Sequence, residues 1–242
     1  MNGPFSLFKW EALFKDFSIF IEGFVTTLEV SILGLILALI LGVIFGMLST
    51  SKIKFLKIIS RIYVEIIQNT PLVIQVFFLF NGLPYVKIVL PVFLIGVLGV
   101  GVYHGAYISE VVRTGITSIP KGQFEAAKSQ GFSHIQTMIY IILPQTVKII
   151  IPPLTNQLVN LIKNTSILAM IAGGDLMYTA DSWSSSNMYY GPAYVITGVL
   201  YFILCYPLAM LSRKLELREK KKSSINIEKS IAAQTVAAEG GL

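Results

Sequence analysis

The stretch GQFEAAKSQGFSHIQTMIYIILP, residues 122–144, is a polar segment inside a chain that is otherwise strongly apolar. Of the 242 residues 54% are hydrophobic and 13% are charged, whereas a typical soluble domain has roughly 25% charged residues. The apolar residues form several long runs, and this pattern is typical of polytopic membrane proteins. The position of the polar stretch relative to the membrane is therefore the first question that the sequence poses.

Five apolar stretches are long enough to cross about 30 Å of hydrocarbon. They cover approximately residues 24–48, 62–83, 91–112, 146–172 and 193–211. The single cysteine, Cys205, lies in the last of them, so a disulfide within the chain is excluded. The first twenty residues mix charged and aromatic side chains and do not predict a cleavable signal peptide.

Basic residues are concentrated in alternate loops. They are Lys52, Lys54, Lys57 and Arg61 after the first stretch, Arg113, Lys121 and Lys128 after the third, and Arg213, Lys214, Arg218 and residues 220–222 after the fifth. The loop after the second stretch has only Lys87, and residues 175–192 include no basic residue. Basic loops stay on the cytoplasmic side, so residues 122–144 are predicted to be cytoplasmic.

We therefore predict an all-α polytopic membrane protein with about five transmembrane helices, its N-terminus outside and its C-terminus inside. Residues 1–22 form an N-terminal extracytoplasmic or interfacial segment and residues 23–212 the transmembrane domain, with a cytoplasmic loop over 120–144. Residues 213–242 form a basic tail that is predicted to be disordered beyond Ser223, where it becomes polar and alanine-rich.

Small residues recur at intervals of four along two of the apolar stretches. They are Gly34, Ala38, Gly42 and Gly46 in the first, and Gly101, Gly105 and Ser109 in the third. This spacing favours close packing of one helix against another. The alternative is that the glycines face lipid by chance.

The cytoplasmic loop has the signals of a helix–turn–helix. Pro120 is placed for a first helical position and Gly131 for a stop. Between them Gln123, Ala127 and Gly131 fall on one face and leave a shallow surface, which two aromatic residues, Phe124 and Phe132, could anchor to the bundle.

A second short helix is predicted to start with a capping box over Ser133 to Gln136 and to end before Pro144. The loop is thus either a docking surface or an ordinary amphipathic hairpin at the membrane interface, and the helix signals alone leave both open.

The order Glu125-Ala126-Ala127, then Gly131, then Ile141-x-Leu143-Pro144 resembles the EAA loop of permease subunits of ATP-binding-cassette (ABC) importers. Three longer blocks are similar to the polar amino acid uptake branch of that family: QNTPLVIQVFFLFNGLP (68–84), GAYISEVVRTGITSIPKGQFEAAKSQGFS (105–133) and PPLTNQLVNLIKNTSILAMI (152–171). With GFVTTLEVS (23–31), the resemblance covers most of the chain from residue 23 to residue 211. One departure is QNTP at 68–71, where family members more often carry Arg-Gly before Thr-Pro.

The resemblance implies that the loop is a coupling helix, which sits in a cleft of a cytoplasmic ATPase subunit. The matching residues are Gly122, Glu125, Ala126, Ala127 and Gly131. It further implies two ATPase copies, a second permease chain (a homodimer, or a similar permease as the alternative), an extracytoplasmic solute-binding protein, and an amino acid substrate, in a bacterial cell membrane and without nucleic acid. The chain is then not an enzyme and binds no cofactor itself, because it has no GxxxxGK[ST] loop and ATP and Mg²⁺ belong to the ATPase.

Polar residues at bilayer depth are costly, and each is by default a functional candidate. The predicted substrate pathway consists of Glu65, Gln68, Asn69, Thr70, Gln75, Tyr103, His104, Glu110, Asn160, Lys163, Asn164 and Thr165; no catalytic residue or metal site is predicted. Lys163 could meet a carboxylate, and Glu65 or Glu110 an ammonium or guanidinium group. Alternatively the amides connect helices, and Lys163 pairs with a nearby acid (Asp175 or Glu110) or snorkels to an interface. Pro71 predicts a kink in the second span.

The leading functional prediction is alternating access driven by the separate ATPase, with the intramembrane acids favouring arginine, lysine or histidine as substrate. The family also takes up glutamine, glutamate and cystine. The main alternative is an ion-coupled secondary amino acid transporter, which needs no docking loop and whose usual inverted repeats are not found in this sequence. A membrane enzyme has little support, since no HExxH or GxSxG motif occurs; a scaffold that does not transport is a further alternative.

Overall fold

A computed structural model describes the backbone of residues 3–239 and the side chains of residues 3–219. Every regular element in this range is a helix. The α-helices are α1 (Leu7–Lys15), α2 (Phe17–Thr50), α3 (Lys54–Gln68), α4 (Leu72–Phe77), α5 (Val92–Thr117), α6 (Lys121–Ser129), α7 (His134–Gln136), α8 (Leu143–Asn164), α9 (Leu176–Asn187) and α10 (Tyr190–Glu239). Two π-helical segments (Phe78–Gly82 and Thr137–Ile142) and two 3₁₀ segments (Leu83–Val86 and Thr165–Ile171) connect them.

Four helical segments are long and apolar enough to cross a membrane by themselves: Phe17–Thr50, Val92–Thr117, His134–Ile171 and Tyr190–Glu219. The fifth crossing is a broken pair, Lys54–Gln68 followed by Leu72–Val86, which bends by 98°. The prediction of an all-helical protein with about five spans is confirmed, and the kink predicted at Pro71 lies at this bend.

Two boundaries differ from the prediction. α2 begins at Phe17, so the last residues of the predicted N-terminal segment 1–22 belong to the first span. α10 continues to Glu239, where disorder was expected beyond Ser223. Residues 224–239 include four alanines and have no Gly or Pro, and such a composition is compatible with a helix.

Close packing of α2 against α5 forms the centre of the fold. The buried glycines of α2 face large side chains of α5: a Cβ atom at Gly34 would lie 2.6 Å from Val100 Cγ2, and one at Gly46 would lie 2.6 Å from Val112 Cβ. No real Cβ atom is found so close to a neighbour, so only glycine allows this approach. The predicted small-residue groove is therefore confirmed, and it fixes α5 as the central helix of the bundle.

At the opposite end from α6, Asp175 connects two helices. Its carboxylate caps α9 by accepting the backbone N–H groups of Met177 (3.0 Å) and Tyr178 (3.4 Å). The adjacent Leu176 N–H donates to Thr27 Oγ1 of α2 at 3.0 Å. Asp175 is fully buried, and this junction holds the start of α9 against the first span.

Candidate functional site

Polar side chains follow one face of α5. Tyr103, Tyr107, Glu110 and Thr114 are spaced by four, three and four residues, which places them on a single helical stripe. Three cavities of about 250, 470 and 540 Å³ lie along this stripe. They adjoin, because Tyr107 and Gln157 line both the first and the second cavity, and Gln68 and Glu110 line both the second and the third. We call this row of cavities the α5 groove.

The cavity of about 250 Å³ lies furthest from α6 and collects polar residues from α5 and α8. It is lined by Tyr103, His104, Tyr107, Gln157, Asn160, Lys163 and Asn164. The hydroxyls of the two tyrosines are 3.1 Å apart. Lys163 is the only charged side chain in this lining, so a carboxylate entering the cavity would be attracted to one defined position.

His104 connects α5 to α8 at the floor of this cavity. The residue is 2% exposed, and its Nδ1 lies 3.2 Å from Gln157 Oε1 while its Nε2 lies 3.0 Å from Asn164 Nδ2. As the amides are placed, Nδ1–H donates to the Gln157 oxygen and Nε2 accepts from the Asn164 amide. Both ring nitrogens are therefore used within the bundle, which supports the helix-connecting alternative for His104 and Asn164.

The predicted pathway residue Thr165 does not line the groove. It is fully buried, and its hydroxyl donates to the Ile162 carbonyl at 2.7 Å. The helix tightens to a 3₁₀ segment at this residue, and its short side chain turns back onto the preceding turn. A contact between Thr165 and substrate stays a prediction.

The cavity of about 540 Å³ contains two ion pairs. Arg61 Nε lies 2.7 Å from Glu65 Oε1, and Arg113 bonds both oxygens of Glu110 at 2.7–3.0 Å. Lys57 also lines this cavity. Both predicted acids thus already have a cation, so a cationic substrate would have to compete with an arginine. The i,i+4 and i,i+3 spacings of these pairs are visible in the sequence and were the signal for the two arginines that the prediction omitted.

The break between α3 and α4 uses the polar residues that were predicted to contact substrate. Proline has no N–H, so Pro71 cannot donate to the Ile67 carbonyl four residues earlier. Gln75 replaces this donor: its Nε2 bonds the carbonyl oxygens of Ile67 and Thr70, both at 2.9 Å.

Two more side chains complete the end of α3. Asn69 Nδ2 donates to the Glu65 carbonyl and Thr70 Oγ1 to the Ile66 carbonyl, each at 2.8 Å. The contact of Asn69, Thr70 and Gln75 with substrate stays a prediction. Their donors serve backbone carbonyls that the break leaves without helical partners. Of this block only Gln68 reaches the groove, and its amide also donates to the Ala106 carbonyl at 3.2 Å.

The loop between α5 and α8 is a helix–turn–helix, as predicted. α6 ends in a Schellman motif: Phe132 N–H bonds the Ala127 carbonyl at 3.1 Å, and Gly131, with φ of +82°, donates to the Lys128 carbonyl at 3.0 Å. Ser133 and Gln136 then form the predicted capping box, with bonds of 2.9 and 3.2 Å.

The two ends of this loop differ from the prediction. Pro120 is the N-cap of α6 and Lys121 its first residue. The second helix does not stop before Pro144 but continues through the π-helical segment into α8. Pro144 is the second residue of α8, which directly follows the π-helical segment Thr137–Ile142.

The exposed face of α6 is not the one that was predicted. Ala127 is only 1% exposed, and Phe124, three residues earlier, packs against the core of the bundle. Because Phe124 and Ala127 face inwards, the outward stripe consists of Gly122, Glu125, Ala126 and Ser129. Of the residues predicted to dock the ATPase, Ala127 is therefore buried, whereas Gly122, Glu125, Ala126 and Gly131 are exposed; their docking role stays a prediction.

Residues 38–221 match the family described as the inner membrane component of binding-protein-dependent transport systems. The chain belongs to this family. The chain is 42% identical over 209 residues to the probable glutamine ABC transporter permease protein GlnM of Bacillus subtilis. The match covers 86% of this chain and 97% of that one. The chain is 34% identical over 201 residues to the probable glutamine permease GlnP of the same organism, covering 82% and 92%.

Solved structures agree with these relatives. A crystal structure described as an amino acid ABC transporter with histidines aligns with a TM-score of 0.79 and 32% identity, covering 86% of this chain and 98% of that one. An inward-facing MetNI methionine ABC transporter aligns with a TM-score of 0.66 at 16% identity, covering 83% and 98%, and shares the fold. The predicted resemblance to ABC permease subunits is confirmed, and the family member is a multi-pass inner membrane protein.

Proposed function

We propose that the chain forms part of the translocation pathway of an ATP-driven amino acid importer, and that the amino acid moves along the α5 groove. The observation that carries this proposal is the row of three adjoining cavities along one face of the central helix, each lined by several polar side chains. Two relatives are named as probable glutamine ABC transporter permeases, and a structural neighbour as an amino acid ABC transporter. The amino acid would move along the groove by alternating access, in which the protein opens first to one side of the membrane and then to the other.

The chemistry of the groove favours a polar amino acid. Lys163 supplies a cation for the α-carboxylate in the cavity of about 250 Å³, and Asn160 and Gln157 supply amides beside it. The carboxylates of Glu65 and Glu110 are each paired with an arginine, so a neutral polar side chain such as that of glutamine fits the groove with less rearrangement. Arginine, lysine or histidine is the second candidate, because both acids line the cavity of about 540 Å³.

Lys163→Gln tests the carboxylate contact. Uptake of labelled glutamine and arginine by the reconstituted transporter should fall at least tenfold, while the matched variant Lys214→Gln, on exposed α10, leaves uptake unchanged. The same assay across the polar amino acids orders the two substrate candidates. Unchanged uptake in Lys163→Gln would remove this residue from the pathway.

One chain supplies only part of the wall of the groove. The cavities are lined by α2, α3, α5 and α8 and are open at the surface of the chain. A second permease chain would close them, and a two-fold symmetric homodimer is the simplest arrangement. Two B. subtilis relatives, GlnM and GlnP, both match this chain, which supports a pair of similar permeases as the alternative. Two differently tagged copies of this chain should cross-link to each other in a homodimer and should not do so in a pair of different permeases.

The outward stripe of α6, with the exposed Gly131 at its end, is the proposed docking surface for a cytoplasmic ATPase. The small residues Gly122 and Ala126 leave this surface shallow, so that a partner can approach closely. Glu125 offers a charge-assisted hydrogen bond to that partner. ATP and Mg²⁺ then bind to the ATPase rather than to this chain, and an extracytoplasmic solute-binding protein delivers the substrate from the other side. This requires α6 to be cytoplasmic, with the N-terminus outside and the C-terminus inside.

Ala126→Trp tests the docking surface, with Lys52→Trp as a control of equal bulk in the α2–α3 loop. We expect the permease to insert normally but to lose the co-purifying ATPase and its stimulation by loaded binding protein, while the control keeps both. Gly131→Trp should behave like Ala126→Trp, with insertion intact and coupling lost. Full ATP-dependent transport by Ala126→Trp would refute the docking surface, and transport that needs no ATP would favour the ion-coupled alternative.

A further inference from the structure

A small cavity on the side of α8 and α10, away from the α5 groove, combines positive charge with exposed apolar surface. It has a volume of about 180 Å³ and is lined by Lys148, Ile151, Pro152, Leu215, Arg218 and Glu219. No residue of this lining belongs to the groove or to the outward stripe of α6. Its two cations come from different helices and outnumber its single carboxylate.

Side-chain bonds hold the two helices in register beside this cavity. Ser212 of α10 donates to Asn156 Oδ1 at 2.9 Å and approaches the Pro152 carbonyl at 3.3 Å, and Asn156 donates to Glu216 at 2.7 Å. These contacts lie next to the lining residues Pro152 and Leu215. These bonds fix the relative position of the helix segments that carry Lys148 and Arg218.

The surroundings of the cavity are those of a membrane boundary. Leu217, directly before Arg218, is 66% exposed, and Val147 and Ile149, on either side of Lys148, are 47% and 41% exposed. Cations flanked by exposed aliphatic side chains match a molecule with an anionic head and apolar tails. The sequence adds Arg213, Lys214 and residues 220–222 within the same stretch, and basic clusters directly after a span attract anionic lipids.

We propose that Lys148 and Arg218 bind the phosphate of an anionic phospholipid headgroup, whose acyl chains lie against the exposed aliphatic residues of α8 and α10. Arg218 suits a phosphate because its planar guanidinium offers two parallel N–H donors, and Lys148 adds a point charge from the opposite side. The bound lipid bridges the two helices next to the proline pair of α8. The site lies on the same side of the bundle as α6, in the leaflet that the proposed orientation makes cytoplasmic.

The test uses the full-length chain in its purified transporter complex, titrated with dioctanoyl phosphatidylglycerol while thermal stability is measured. We expect a saturable rise in melting temperature that dioctanoyl phosphatidylcholine does not reproduce. Lys148→Gln/Arg218→Gln should need roughly 30-fold more phosphatidylglycerol, from about a fivefold contribution of each cation near an anionic surface. The matched control Lys52→Gln/Lys54→Gln, which removes the same charge from another loop on that side, should titrate like the wild type.

Three results would overturn the proposal: equal stabilisation by phosphatidylcholine, an unshifted titration in Lys148→Gln/Arg218→Gln, or the same shift produced by inorganic phosphate, which would make the site one for free anions. If the glutamine variant does not fold, Lys148→Arg/Arg218→Lys keeps both charges and should retain the lipid effect. The wild type also provides its own check, because an electrostatic site must weaken as salt is raised, and a salt-independent titration contradicts the phosphate contact.

Discussion

Replacing Gln75 by leucine should destabilise the bent second span without altering any groove-lining residue. The substitution keeps the size of the side chain but removes the amide that bonds the Ile67 and Thr70 carbonyls at 2.9 Å. A buried carbonyl that loses its partner costs about 1–3 kcal/mol. Because one amide serves both carbonyls and the site is only half-buried, we expect a total loss of about 2–4 kcal/mol. The measurement is the free energy of unfolding by dodecyl sulfate in mixed micelles, followed by circular dichroism.

A double-mutant cycle with Pro71→Ala tests the physical reason for this loss. Alanine restores a backbone N–H that can bond the Ile67 carbonyl, so Gln75→Leu should cost less than half as much in that background. Gln75→Glu is the isosteric control: it keeps the shape, lacks the amide donor and should be at least as destabilising as leucine. If the effects of Gln75→Leu and Pro71→Ala are additive to within about 0.5 kcal/mol, Gln75 does not replace the proline's missing donor.

The other predictions concern packing, charge and the connection between α5 and α8. Gly42→Ala places a methyl group 2.6 Å from Ile108 Cβ and should lower the unfolding free energy by about 1–3 kcal/mol, whereas Gly198→Ala, with no neighbour within 4 Å, should be neutral or stabilising in the same assay. Burial raises the pKa of Asp175 from 3.8 to about 6, against the lowering effect of its backbone hydrogen bonds. The folded state therefore holds this proton more tightly, and stability should fall by up to about 3 kcal/mol as pH rises from 4 to 6. Asp175→Asn, which still caps a helix, should abolish that part of the pH dependence, and an unchanged pH profile would contradict the assignment. His104→Phe leaves two amide groups without their partner and should lower the melting temperature; a neutral result would show that water or other side chains satisfy them.

The number and position of the spans follow from the sequence because they depend on local composition. Runs of apolar residues define the crossings, and small residues at intervals of four predicted close helix packing along two of them. The buried Gly34 and Gly46 confirm close packing, and the structure adds that α2 and α5 make it with each other. The capping box at Ser133 and the stop at Gly131 were equally predictable, since each motif is complete within a few residues. By contrast, the continuation of the second loop helix through Pro144 depends on a π-helical segment that no residue pattern announces.

The polar site was predicted less well because a polar residue in a membrane span has two possible partners, a solute and the backbone. The sequence does not state that Gln75 reaches back to the carbonyl that Pro71 leaves free, or that Thr165 bonds its own helix. Ala127 was expected on the exposed face of α6 together with Gln123 and Gly131, but it faces the bundle. Which side of a helix faces a neighbour is a tertiary property, and a single sequence contains it only indirectly.

The helix that continues from His134 to Ile171 has a mechanical consequence. Its base lies in the loop that carries the outward stripe of α6, and Gln157 lies about 30 Å further along the same rod at 1.5 Å per residue. If the rod pivots near its base, a tilt of about 10° moves Gln157 sideways by about 5 Å over that length, more than a hydrogen bond can stretch. The hydrogen bond between His104 and Gln157 would then have to break before this helix could tilt. The Asn156–Ser212 hydrogen bond would limit bending of α8 at Pro152 and Pro153. Under the proposed function, a displacement of the loop would therefore change the width of the α5 groove, because one continuous helix connects the two.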